Sequence, residues 1–209
     1  MNEMIEELRC LIAEQSIRRG EFTLASGAKS HYYCDLKATT QSPRGSLLVG
    51  EILYPIFRDL EVDAVGGLAM GSVFLSAAVS LVSAQRGRPI PGFFVRTREK
   101  DHGLKHTVEE AFFPGGESLL GPGRKVAIVE DVVTKGGSIQ KAIEAVQARG
   151  CEIRSVLALV DRQAGGGDLL RAQGLPYTAI YHTDEAGGLH VNDEYRGNAS
   201  GAPAIQAVS

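Results

Sequence analysis

The sequence is short of several things, and each shortage excludes a class of protein. Cysteine occurs three times in 209 residues, at Cys10, Cys34 and Cys151. The number is odd, the spacing is wide and no C-x-x-C pair occurs, so the thiols read as free rather than as a disulfide framework or a zinc site. Lysine and arginine never run beyond two in succession and the formal net charge is -3, which removes the electrostatic footprint of a nucleic-acid binder. No apolar stretch approaches the roughly 18 residues that span a bilayer. The opening MNEMIEELRC is acidic where a secretory signal would be basic. No membrane partner and a cytoplasmic location are therefore expected. His31, His106, His182 and His190 lack any ligand spacing such as H-E-x-x-H and read as surface or loop residues.

What is present is ordinary in composition and ordered in pattern. Hydrophobic residues make up 44% and charged residues 22%, values of a soluble globular chain, and the length suits one domain rather than two. Ile5, Leu8, Leu11 and Ile12 predict a helix of about four turns that stops at Gly20. Two short extended pieces follow, EFTLASG and SHYYCDLK, separated by a glycine turn. Ser42 as N-cap and Pro43 at the first helical position open a second helix, with Leu48, Ile52 and Ile56 four apart.

From there short apolar strands alternate with helices: DAVGGLA, the helix from Val73 to Arg86, GFFVR, KVAIVED, the helix from Ser138 to Arg149, SVLALVD, the helix from Asp168 to Gln173, and YTAIY. Strands apolar on both faces and separated by helices predict an α/β fold, a parallel sheet flanked by helices on both faces. Right-handed crossovers gather the strands' C-terminal ends along one edge, where such sheets bind ligands. Two regions break the alternation. Thr97 to Arg124 separates strands by about 28 residues, far beyond the usual connection of about 2 to 6, and such a loop is functional or disordered. The tail from Gly197, GNASGAPAIQAVS, is small-residue and low in charge and is expected to be mobile.

The stretch from Val126 to Ala142, VAIVEDVVTKGGSIQKA, carries the chemistry. As a buried parallel strand, Val126 to Val129 delivers Glu130 and Asp131 to the ligand edge, where burial no longer opposes their charge. Thr134, Lys135, Gly136, Gly137 and Ser138 then lead into a helix. Loop amides, two hydroxyls and a helix N-terminus converge there as an anion cradle. Acids beside such a cradle fit a ligand with two parts, a phosphate for the loop and sugar hydroxyls for the carboxylates. The bland alternative is a capped turn with two solvated acids. Competing motifs fail: GGLAMGS, Gly66 to Ser72, has the spacing of a P-loop without its lysine, and no G-x-G-x-x-G follows a strand.

With VEDVVTKGGS after an apolar strand, the chain resembles the type I phosphoribosyltransferases, which use 5-phosphoribosyl 1-diphosphate (PRPP) with magnesium. FTLASGAKSHYYCDLK, VRTREKDHG and LVDRQ are similar to orotate phosphoribosyltransferase in particular, and the stretches keep that family's order from about Glu21 to Tyr181. The resemblance implies one domain over residues 1–196, with a small hood over about 1–40 and a core over about 41–182. It implies Glu130 and Asp131 on the ribose hydroxyls, Thr134 to Ser138 on the 5-phosphate, and Met70, Gly71 and Ser72 beside the pyrophosphate. It further implies Arg96, Lys100 and His102 on the pyrophosphate, with Lys100 and His102 reaching the neighbouring subunit of a homodimer.

Tyr33, Cys34 and Thr134 would lie against orotate and Arg162 would face its carboxylate, as bidentate guanidinium chemistry favours. The alternative for Arg162 is an ion pair with Asp161. Lys100, His102 and Asp131 are the implied catalytic residues. Mg2+ would be held by pyrophosphate, ribose and water, with no protein-only metal site. The sequence departs from the family at Ala25 and Thr97, where lysine is frequent, and at Lys135, where a small residue is usual; Lys29, Arg98 or Lys135 are the candidate replacement cations. A phosphoribosyltransferase for another base and a non-catalytic PRPP-sensing regulator are the rival functions.

Overall fold

The computed structural model describes residues 1–23, 29–97, 108–111 and 116–195. The expectations that fall on Ala25, Arg98, Lys100, His102, His106 and the tail from Gly197 lie outside the described residues.

A seven-stranded sheet forms the centre: β3 (Ala64–Leu68), β4 (Gly92–Val95), β5 (Val108–Glu110), β6 (Lys125–Val133), β7 (Glu152–Asp161), β8 (Tyr177–Thr183) and β9 (Leu189–Val191). The order across it is β5-β4-β3-β6-β7-β8-β9. The five inner strands are parallel, and only the outermost, β5 and β9, run antiparallel to their neighbours. The predicted parallel sheet is thus the middle of a mixed one.

Helices α1 (Asn2–Gln15), α3 (Pro43–Asp59) and α4 (Gly71–Gln85) cover one face, while α5 (Gly137–Gln147) and α6 (Gly166–Ala172) cover the other. Strand alternation sorts the core between the faces. Ala127 and Val129 of β6 pack with Leu8, Leu48 and Val79, whereas Val126 and Ile128 pack with Ile139, Ile143 and Leu170. Ser42 caps α3 as its position predicts, accepting the Gly45 N–H at 3.1 Å, with Pro43 in the first turn.

Three expectations are corrected here. The first helix ends at Gln15, not Gly20, because Ile17 to Thr23 form β1 and pair antiparallel with β2 (Lys29–Cys34) in a separate two-stranded sheet. The interval from Thr97 to Arg124 is not wholly loop: β5 returns along β4. There the Glu110 carboxylate accepts from the Ser118 hydroxyl at 2.7 Å, the Leu120 N–H at 3.1 Å and Arg149 at 3.2 Å. Finally, β6 does not end before its acids. It continues to Val133, so Glu130 lies inside the strand and is 5% exposed, and burial does oppose its charge.

Candidate active site

The cradle forms where β6 meets α5. Strand β6 stays paired with β7 through Val133, which fixes the start of the loop, and the Gly166 N–H donates to the Thr134 carbonyl at 2.9 Å to fix its middle. Gly136 then turns the chain with φ +82, a left-handed conformation that side chains resist. The helix starts at once, so the first amides of α5 have no intrahelical partner and face outward. A cavity of about 330 Å³ opens there, lined by Thr134, Gly136, Gly137, Ser138, Lys141 and Glu130. Lys135 is exposed and is not among the lining residues. Lys141, one helical turn beyond Gly137, is the cation that the loop motif did not announce; its four-residue spacing from Gly137 is the signal that locates it.

The two acids face different environments. Asp131 is half-buried, with Oδ1 accepting the Val132 N–H at 2.8 Å. Its carboxylate fills the space beside Gly71, where a Cβ would collide with it, and this close approach joins β6 to the N-terminus of α4. Glu130 Oε2 is buried without a hydrogen-bond partner among the described residues. Burial, with the neighbouring Asp131 charge adding to it, pushes the Glu130 carboxyl up from 4.5 to about 9. Burial and the neighbouring carboxylate thus both disfavour the charged form of Glu130.

At the start of α4, Met70 is 59% exposed, whereas Ser72 is fully buried with its hydroxyl donating to the Leu68 carbonyl at 2.7 Å. The Ser72 hydroxyl is therefore committed inside the fold and is not exposed at this edge. Arg96, just after β4, pairs with Glu109 of β5 at 2.6 Å. Thr97 is exposed.

Arg162 follows β7 and does not pair with Asp161. Its Nε donates to the Tyr32 hydroxyl at 3.0 Å and its Nη2 to the Ser30 hydroxyl at 3.2 Å, with the guanidinium 4.3 Å from the Tyr32 ring centre. Asp161 instead accepts from the Tyr177 hydroxyl at 2.8 Å and the Gln163 N–H at 2.7 Å. The Tyr32 hydroxyl also bonds the Thr183 hydroxyl at 2.7 Å, which ties β2 to β8. All the side-chain partners found for Arg162 are neutral, so its charge stays available at the seam between hairpin and sheet. Alternation on β2 turns Ser30, Tyr32 and Cys34 to the inward face, while Tyr33 is 43% exposed and meets Phe22 at 5.7 Å between ring centres. Burial pushes the Cys34 thiol up to about 12.

A larger groove of about 780 Å³ lies away from this edge, between the middle of α1 and β9, lined by Arg9, Arg19 and His190. The Gly187 and Gly188 amides that border it are already bonded to Asp184, at 3.0 Å to its carbonyl and 2.7 Å to its carboxylate. The chemistry concentrates at the β6–α5 edge.

Residues 35–170 match the family model described as phosphoribosyl transferase domain. Orotate phosphoribosyltransferase of Bradyrhizobium diazoefficiens is 45% identical over 175 residues, covering 84% of this chain and 91% of that protein. Among solved structures, the Mycobacterium tuberculosis orotate phosphoribosyltransferase in complex with Fe(III) dicitrate superposes with TM-score 0.73 at 33% identity, covering 88% of this chain and 99% of that one. The same enzyme in complex with 5-phospho-alpha-D-ribosyl 1-diphosphate gives TM-score 0.68 at 31% identity, over 86% of this chain and 96% of that one. A backbone cradle, a neighbouring pair of acids and the Arg162 guanidinium on one sheet edge thus accompany sequence identity over most of the chain, and the chain belongs to the orotate phosphoribosyltransferase family.

Proposed function

We propose that the protein transfers the ribose 5-phosphate of PRPP to N1 of orotate, giving orotidine 5'-monophosphate and pyrophosphate, as a cytoplasmic step of pyrimidine biosynthesis. The observation that carries this reading is the single edge on which the Thr134–Ser138 cradle, Glu130 with Asp131, and Arg162 meet. The N1–C1' bond forms as the C1'–O bond to pyrophosphate breaks, the bonding pair leaves on pyrophosphate, and the N1 proton is released. Amides of Gly137 and Ser138 hold the 5-phosphate together with Thr134 and the helix dipole. Glu130, whose charged form is disfavoured by burial, bonds the ribose hydroxyls. Asp131 favours the cationic sugar. A preorganised group of this kind is typically worth about 3 to 4 kcal/mol in a water-excluded site. Arg162 receives the carboxylate of orotate beside Cys34, on the face of β2 opposite Tyr33.

Arg96, Lys100, His102 and the Met70–Ser72 backbone attend the pyrophosphate. For Arg96 this means exchanging Glu109 for phosphate oxygens. The loop carrying Lys100 and His102 would serve the neighbouring site of a homodimer. Two outward apolar side chains suit burial against a second copy, Leu81 of α4 at 63% exposed and Leu47 of α3 at 42%. Residues 1–196 would act as one domain, with β1 and β2 as the hood. Mg2+ fits this site as an ion delivered with PRPP, because the cavity wall offers amides, hydroxyls and carboxyl oxygens rather than soft ligands. It would be held through pyrophosphate, ribose and water, and when bound it neutralises phosphate charge.

The test is an assay of base consumption with PRPP and Mg2+, comparing orotate with adenine, hypoxanthine and uracil. Turnover is expected with orotate alone. Preference for a purine would replace the base assignment, and binding of PRPP without turnover on any base would identify a sensor.

A further inference from the structure

Lys37 opens α2 (Lys37–Thr40), between the hairpin and the sheet, and is the last residue of the stretch FTLASGAKSHYYCDLK. Its platform is fixed. Leu36 before it is fully buried, Thr39 is fully buried with its hydroxyl 2.7 Å from that of Ser16, and the Lys37 N–H donates to Asp35 Oδ1 at 3.1 Å. The ammonium lies 2.6 Å from Asp35 Oδ1 with the side chain 42% exposed, so the charge is held in place and still open to a ligand.

Lys37 lies three residues beyond Cys34, which shares the inward face of β2 with Ser30 and Tyr32, the two residues that hold Arg162. The ammonium feels Asp35 first, then Asp131 and the Tyr33 hydroxyl, all of which favour its charged form. The Cys34 thiol, between hairpin and sheet, feels Arg162 and Lys37 as cations and Asp131 and Asp35 as anions. Cys34 therefore sits within the field of two cations, one from the end of β7 and one from α2. An anionic ligand laid on Cys34 meets Arg162 and also faces the Asp131 carboxylate, which repels it. Lys37 is within electrostatic range of both Cys34 and Asp131 and offsets that repulsion. The division of labour suits the two side chains: the guanidinium forks onto a carboxylate, and the ammonium acts as a compact point charge on a ring oxygen or ring anion.

We propose that Lys37 is a second substrate-binding cation of the base site, meeting anionic orotate together with Arg162 and supplying positive charge that Ala25 does not. This rests on the transfer reaction proposed above. In Lys37→Gln, KM for orotate is expected to rise about tenfold, the scale of a lost charge-assisted hydrogen bond, while KM for PRPP stays within twofold and the melting temperature is unchanged. Lys37→Arg is expected to recover most of the loss, because it returns the charge. With Lys37→Gln and Arg162→Gln combined, the effects on orotate KM should fall short of the product of the single effects, as they do when two residues share one ligand.

An unchanged orotate KM overturns the proposal. So does a rise in both KM values together with a lower melting temperature, which would make Lys37 a structural partner of Asp35, and so does a rise confined to PRPP. Wild-type turnover measured alongside separates the two readings. Absence of wild-type turnover with orotate sinks the transfer reaction and this inference with it, whereas normal wild-type turnover with an indifferent Lys37→Gln sinks this inference alone.

Discussion

The proposed phosphate cradle and the proposed base site lie on the same sheet edge but are built in opposite ways. The cradle is made by consecutive residues, Thr134 to Ser138, and its donors are mostly backbone amides whose direction follows from a strand, a left-handed glycine and a helix start. The base site is made by side chains from distant parts of the chain. The Arg162–Tyr32 bond closes 130 residues of sequence and the Tyr32–Thr183 bond 151. A backbone site tolerates changes of side chain and fails when the backbone turn fails. A side-chain site fails one group at a time.

The largest effect should come from breaking the turn. Gly136→Val forces a β-branched residue to φ +82, displacing the amides that follow it. The kcat/KM for PRPP should fall roughly 100-fold, the scale of a lost set of preorganised donors, with the melting temperature measured to separate this from unfolding. Ser138→Ala, by contrast, removes a hydroxyl and leaves the amides, so a loss equal to that of Gly136→Val would refute the backbone account.

On the base side, Arg162→Ala should raise KM for orotate about 10- to 100-fold with little change for PRPP. It should also loosen the hairpin, because Tyr32 and Ser30 lose their shared donor; faster amide exchange in β2 would report that. Full turnover with orotate in this variant would remove Arg162 from the base site.

The smallest effect concerns Glu130 and separates the acids from the amides. Its carboxyl keeps a proton in the folded chain up to about pH 9, whereas the unfolded chain releases it near 4.5. Between those values the unfolded state binds fewer protons, so the unfolding free energy falls as pH rises, by at most about 1.4 kcal/mol per pH unit, and it levels off above pH 9. Glu130→Gln, neutral at every pH, should therefore match wild type at pH 4 and exceed it by about 1 kcal/mol or more at pH 8 in ligand-free denaturant titrations. Equal stability at both values would mean that Glu130 is ionised and solvated after all.

Periodicity and punctuation determined the helices, the inner strands and the cradle, because those depend on residues close in sequence: Ser42 and Pro43 start a helix, and alternate residues of Val126 to Val129 divide between two cores. Even the phosphate loop was legible, since its donors belong to the backbone between Thr134 and the start of α5. Burial of Glu130 was not legible, for it depends on β6 pairing with β7 as far as Val133. The antiparallel outer strands β5 and β9 were hidden for the same reason: three residues carry little pattern of their own and form strands only beside a neighbour already in place. Which tyrosine of the pair 32–33 faces inward, what Arg162 holds, and how near Lys37 stands to Asp131 were decided by tertiary structure. Each is a distance between groups far apart along the chain, and only packing sets such distances.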